Sequence, residues 1–276
     1  MKRLTSIDAT RGLVMLLMLV DHTREFFYMH EQVSDPVNVL TTSPQLFFTR
    51  LSAHLCAPVF VLLTGLAAWL YQSKTNKKEA SLFLLKRGLV LMLLEITLIN
   101  FGWSFSLAPE TLFLQVIWAI GLSMLTLAAL LWLPMKAILA IGLTIIFTHN
   151  LLDPITFHEQ GLAHTLWAIL HDRSYIYITD LLRIRTSYPL LPWIGVIALG
   201  YSLGPLFKTS YPEVKRQKQL IGMGVLSLIS FVIFRLTNFY GDSSLWQPYE
   251  NPMNTIVSFF NVTKYPPSLQ FLFLTL

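Results

Sequence analysis

The chain has 276 residues, 54% hydrophobic and 13% charged, with a mean hydropathy of +0.57, whereas a soluble domain carries about 25% charged residues. This excludes a disordered chain, which needs low hydrophobicity. It also excludes a nucleic-acid binder, whose Lys and Arg gather on one exposed face; here the formal net charge is only +5. What remains is an all-α polytopic membrane protein, a helix bundle with about eight transmembrane helices.

A spanning helix needs roughly 20 mostly apolar residues, and seven such stretches and part of an eighth follow one another along the chain. The first, 12–28, comes after the polar opening MKRLTSIDAT and lacks a small-residue cleavage site, so it reads as a retained helix. Asp8 and Arg11 stand at its entrance, Asp21 and His22 near its far end. Arg11 and His22 are eleven residues apart, about 16 Å of helical rise, which returns to nearly the same face. Asp21 is about 100° away round the helix, placed to meet Arg24 or an acceptor. The second stretch, 46–71, carries Arg50 and His54 four residues apart on one face. Pro58 then removes a backbone hydrogen bond and predicts a kink. The third, 82–103, holds Glu95, expected to meet a cation or a backbone group; the fourth and fifth are 112–133 and 137–152.

The segment 153–188 is long for a loop and is expected to carry structure or function. Its part 161–170 predicts an interfacial helix with Trp167, Tyr175 and Tyr177 at headgroup depth. His158, His164 and His171 lack the spacing of zinc ligands and read as solvated. The sixth and seventh stretches are 189–207 and 220–237, with Arg235 read as an interfacial anchor. The partial eighth begins after Pro267 and stops at Leu276, about half a bilayer. The expectation is one domain over 1–276 that is incomplete at its C-terminus. The single cysteine, Cys56, gives neither a disulfide framework nor a cysteine metal site.

Orientation follows from the basic residues. With the N-terminus in the cytoplasm, that side holds thirteen, from Lys2, Arg3 and Arg11 through the clusters at Lys74–Lys78, Lys86–Arg87 and Lys215–Lys218 together with Lys136 and Lys208. The far side and the spans hold seven: Arg24, Arg50, Arg173, Arg183, Arg185, Arg235 and Lys264. A charge within the membrane costs about 2.5 to 3.5 kcal/mol on insertion scales, so each is a functional hypothesis. The plainer readings are that Asp21 and His22 anchor the first helix at the interface and that Arg50 snorkels.

The segment RLTSIDATRGLVMLLMLVDH resembles the opening helix of the transmembrane acyltransferase superfamily: an Asp, an Arg-Gly three residues on, an apolar run, and a His eleven residues after the Arg, here Asp8, Arg11, Gly12 and His22. More narrowly, the chain is similar to bacterial membrane proteins related to heparan-alpha-glucosaminide N-acetyltransferase. LSAHLCAPVFVLLTG, YPLLPWIGVIALGYSLG, TNFYGD and KYPPSL carry that likeness further. It departs from the lysosomal N-acetyltransferases, which place an Asn at the position of His22 and a His before the second helix, where this chain has TTSPQ; neither His30 nor His54 aligns with that His.

The resemblance implies acyl transfer from cytosolic acetyl-CoA or another acyl-CoA, without a metal, to a hydroxyl or amine on the far side of the membrane. An amino sugar or an envelope glycan is the implied acceptor. The cofactor-binding candidates are Asp8, Arg11, Lys86 and Arg87, the cations meeting the CoA phosphates. His22 is the first candidate for general base, with Asp21 beside it and Arg50 or His54 stabilising the oxyanion. An acyl-histidine on His22 or His54 stays open as the alternative. Expected partners are the bilayer of a bacterial inner membrane, acyl-CoA and the glycan acceptor, with a homodimer left open and no nucleic acid. The competing functions are a proton-coupled transporter and a non-catalytic envelope protein.

Overall fold

In the computed structural model, which describes residues 5–28 and 34–276, each apolar stretch folds as helix for all or most of its length. The order is α1 (Thr5–Thr23), α2 (Pro44–Ala53), α3 (Cys56–Gln72), α4 (Lys77–Leu94), α5 (Asn100–Ser104), β1 (Thr111–Leu114), α6 (Val116–Leu130) and α7 (Met135–Thr148). It continues with α8 (Leu162–Leu170), β2 (Tyr175–Tyr177), β3 (Arg183–Thr186), α9 (Leu191–Ser202), α10 (Glu213–Thr237), α11 (Pro252–Phe260) and α12 (Leu269–Thr275). Among the described residues, three helical segments are long and apolar enough to cross a membrane: Pro44–Gln72, Met135–Leu152 and Glu213–Thr237.

The chain divides into two compact units, one from Val61–Phe207 and one from Met1–Phe60 with Lys208–Leu276. In Val61–Phe207, α9 is apolar all round and buried on all sides from Pro192 to Val196, the pattern of a central helix. Its neighbours approach through paired glycines. A methyl added at Gly200 would lie 2.0 Å from the Leu62 carbonyl oxygen, and one at Gly65 would lie 2.1 Å from that of Ile197. Gly88 and Gly121 play the same part between α4 and α6, and Gly142 and Gly195 between α7 and α9. Small residues at such crossings bring backbones into direct contact, which is how helices associate where burial from water offers no driving force.

This unit corrects two expectations and decides between two alternatives for Glu95. The fourth apolar stretch does not begin as helix: Thr111–Leu114 is a strand, parallel to β3, which pairs antiparallel with β2. Asn100 holds it, accepting from the Phe113 amide at 2.7 Å and donating to the Phe113 carbonyl at 3.0 Å. Of the two partners expected for Glu95, it meets the backbone group: it is buried and accepts from the Trp118 amide at 3.1 Å, a carboxylate at the positive end of α6. His164 and His171 are not solvated but buried, and His171 Nε2 lies 3.0 Å from Asp153 Oδ1. The helix expected over 161–170 is present as α8.

In the other unit, α10 carries its apolar side chains outward, Val225, Leu228, Ile229, Val232 and Ile233 among them, as a lipid-facing helix does. Arg235 is no interfacial anchor. It is fully buried, and all five of its N–H groups find acceptors: the carbonyls of Phe259, Ser244, Ser258 and Asn261 at 2.6 to 3.0 Å and Gln270 Oε1 at 3.2 Å. Three of those carbonyls belong to the end of α11, so the guanidinium caps that helix. Asp242 gathers the following segment, accepting from Ser244 N, Thr263 N, Thr263 Oγ1 and Ser268 Oγ within 2.9 Å. Asn261 pairs with both backbone groups of Val37 at 2.8 and 3.0 Å, which ties residues 34–42 to the C-terminal segment.

Candidate functional site

Most of the residues singled out from the sequence lie in this second unit. Helix α1 packs through Val14, Leu17 and Met18 against Ala53, Cys56, Val59 and Phe60, and the Cys56 thiol donates to the Val14 carbonyl at 3.3 Å. Asp21 is seven residues beyond Val14, on the same stripe of the helix. Its side chain is 19% exposed and accepts from Arg24 at 2.9 Å, the nearer of the two partners expected for it. His22, a further 100° round, is 44% exposed, with Nδ1 3.9 Å from Glu25 Oε2. Asp8 and Arg11 face each other at 3.8 Å, both partly exposed.

The kink expected at Pro58 is a break four residues earlier, between α2 and α3 at His54 and Leu55. Pro58 has no N–H for the His54 carbonyl, and its ring crowds that carbonyl. The break presents two of the expected residues differently. Arg50 Nη2 is 3.7 Å from Asp35 Oδ1, and the other oxygen of Asp35 accepts from the amides of Lys264 and Tyr265 at 3.0 and 3.1 Å. His54 is buried, its ring 5.2 Å from that of Phe271, its Nδ1 enclosed without a hydrogen-bond partner among the described residues. Lys264 and Arg50 lie within Coulombic range of His54, as do Lys264 and Asp21 of Cys56.

One neighbourhood of this unit therefore holds Asp21, Arg50, His54 and Cys56 with two residues not singled out from the sequence as site residues, Asp35 and Lys264. The cis peptide bonds Asp35–Pro36 and Tyr265–Pro266 flank both. The signal for this pairing was the KYPPSL segment, which carried a likeness but no partner.

Lys86 and Arg87 belong to the Val61–Phe207 unit, on the exposed side of α4. Arg87 lies over the Phe83 ring at 4.5 Å, and that ring stacks on Tyr71 at 4.3 Å. As cations open to solvent, Arg11, Lys86 and Arg87 have the chemistry that CoA phosphates require. Among the described residues no group of three or more His, Cys, Asp or Glu is placed to hold a metal ion. His30, Lys2 and Arg3 lie outside the described residues.

The family model for the catalytic region of heparan-alpha-glucosaminide N-acetyltransferase matches residues 3–246. The chain belongs to this family. Together with the three long apolar helices, this makes it a membrane protein of an acetyltransferase family. The match takes in Asp8 to Cys56, the whole Val61–Phe207 unit, Arg235 and Asp242, and it ends before Lys264 and Phe271. No curated protein and no solved structure matches significantly.

Proposed function

We propose that this protein is an enzyme of a bacterial inner membrane that moves an acetyl or other acyl group from cytosolic acyl-CoA to a hydroxyl or amine of an envelope glycan or amino sugar on the far side. About eight helices cross the bilayer, and the N-terminus is cytoplasmic. The observation that carries this reading is the family match across residues 3–246. In the reaction the acceptor oxygen or nitrogen attacks the thioester carbonyl, a C–O or C–N bond forms, the C–S bond breaks, and the CoA sulfur leaves as the thiol, protonated by the proton that the base has taken from the acceptor. The acceptor's proton passes to His22, the more accessible of the two candidate histidines, and Glu25 Oε2 at 3.9 Å steadies the ring. Arg11, with Asp8 orienting it, and the cations Lys86 and Arg87 meet the CoA phosphates.

His54 holds the second place because its buried Nδ1 has no hydrogen-bond partner among the described residues, as an atom awaiting a substrate hydroxyl or an acyl group would. The test is transfer of radiolabelled acetyl from acetyl-CoA to a glycan fraction by membranes holding the full chain. His22→Ala is expected to lower transfer by about 10²- to 10⁴-fold, the usual contribution of a general base, with normal insertion. Activity within a few-fold of the parent would pass the role to His54. Solute uptake without CoA turnover would replace the enzyme with a transporter.

A further inference from the structure

The three-stranded sheet is not used by acyl transfer as set out above. Side chains alternate along a strand, so the registers put Thr111 and Phe113, Arg183 and Arg185, and Tyr175 and Tyr177 on one face, with Leu112, Ile184 and Ile176 on the other. Ile176 is buried, which marks its face as the inward one.

On the outward face two guanidinium groups flank a single ring. The Cζ atoms of Arg183 and Arg185 are 5.0 and 4.9 Å from the centroid of Tyr175. Arg183 Nε donates to Thr111 Oγ1 at 2.8 Å, and Arg185 Nη1 donates to Tyr175 Oη at 2.5 Å. Each arginine is thus oriented by one N–H and a ring face, and among the described residues the rest of its fork makes no side-chain hydrogen bond. Among the described residues neither has a carboxylate within ion-pair distance, whereas Arg11, Arg24, Arg50 and Arg216 each have one. Two like charges held two residues apart without neutralisation repel each other, and an anion with several oxygens relieves that repulsion while accepting from both forks.

The surroundings identify the source of the anion. Strand β1 leads into α6, β3 leads into α9, and the helical segment that contains α7 ends at Leu152, so the sheet stands at one end of the apolar helices of its unit. Lys74, Lys77, Lys78 and Lys136 stand at the other end, beside the turns joining α3 to α4 and α6 to α7. At the sheet's end Leu181 is 83% exposed and Leu162 76%, with Ile178 and Tyr177 also exposed. Apolar and aromatic side chains beside cations suit the boundary between acyl chains and headgroups, and do not suit open water.

The geometry points to a lipid site: Arg183 and Arg185, ordered on Tyr175, bind the phosphate of an anionic phospholipid in the leaflet bordering the sheet. The test is native mass spectrometry of the full chain in detergent, titrated with phosphatidylglycerol and, separately, with phosphatidylcholine. Each arginine at a membrane surface contributes about fivefold, so Arg183→Gln with Arg185→Gln is expected to weaken phosphatidylglycerol binding by about 25-fold and leave phosphatidylcholine unchanged. The lysine pair, which keeps the charge and loses the fork, falls between. Should the glutamine pair not fold, Arg185→Gln alone carries the same test at about fivefold. Binding equal to the parent's in a folded variant overturns the assignment. Inorganic phosphate at millimolar concentration supplies the other arm: if it displaces phosphatidylglycerol, the arginines serve a soluble anion and the lipid site is wrong.

Discussion

In Val61–Phe207, three helix crossings rest on facing glycines, and carbonyl oxygens lie where a side chain would begin. In the unit made of Met1–Phe60 and Lys208–Leu276, the irregular stretches after α10 are joined by Arg235, Asp242 and Asn261, each bonded to backbone some distance along the chain. The first arrangement depends on the absence of atoms, the second on particular charged and polar atoms. The two therefore fail differently. A glycine crossing loses contact in proportion to what is added, whereas a buried guanidinium that is removed strands every acceptor it served.

Arg235→Met tests the second arrangement most severely. It leaves four backbone carbonyls and Gln270 without their donor, at about 1 to 3 kcal/mol for each buried group left unpaired. The expected result is a chain that inserts but has no cooperative melt in detergent; an unchanged melting midpoint would remove Arg235 as the hub. Gly200→Val comes next. Its Cβ would sit 2.0 Å from the Leu62 oxygen, so α3 and α9 must separate, at roughly 3 kcal/mol. The control is Gly222→Ala on the outward side of α10, where no atom lies within 4 Å of the new methyl. There the gain in helix propensity, up to about 1 kcal/mol, leaves the midpoint level or slightly raised. Equal losses in the two variants would erase the difference between a crossing and a lipid face.

Asp242→Asn is expected to cost about 2 kcal/mol, because the amide turns a donor toward Thr263 or Ser268, which already donate. A melt coincident with the parent's would show that those donors have other acceptors. The smallest effect is at Glu95. Glu95→Gln keeps an oxygen for the Trp118 amide and loses only the charge at a helix N-terminus, about 0.3 to 1 kcal/mol. A loss as large as that of Asp242→Asn would mean that Glu95 meets more than α6.

The helices of both units were legible because runs of apolar residues bounded by Pro, Asn and Ser carry their own punctuation. Ser43 and Asn76 cap α2 and α4 where the polar breaks fall. The sheet was not legible. TLFL reads as the start of a span, and its partner strand lies about seventy residues on, as the bond from Arg183 to Thr111 across 72 positions shows. The same distance effect hid the candidate site. His54 and Arg50 stood out by their helical spacing, but Asp35 meets Arg50 from an irregular stretch with no spacing to read, and Lys264 and Phe271 arrive only where the chain returns more than two hundred residues later. Arg235 was misread because its partners are carbonyls, which have no sequence identity to notice. Asp21 and His22 were found as a pair, although only packing separates the shielded carboxylate from the half-exposed imidazole.

The bonds from Asn261 to Val37 span 224 positions, and this distance sets an order of events during synthesis. The ribosome delivers Val61–Phe207 before Asn261 and Lys264, so the surroundings of Asp35 and His54 lack their later half until those residues emerge. Closing so long a loop is paid for in chain entropy, and it is cheapest once the intervening residues are already compact. The neighbourhood of His54 is thus complete only after Lys264 and Phe271 have been made, and a nascent chain released earlier would hold Asp35 and His54 without those partners.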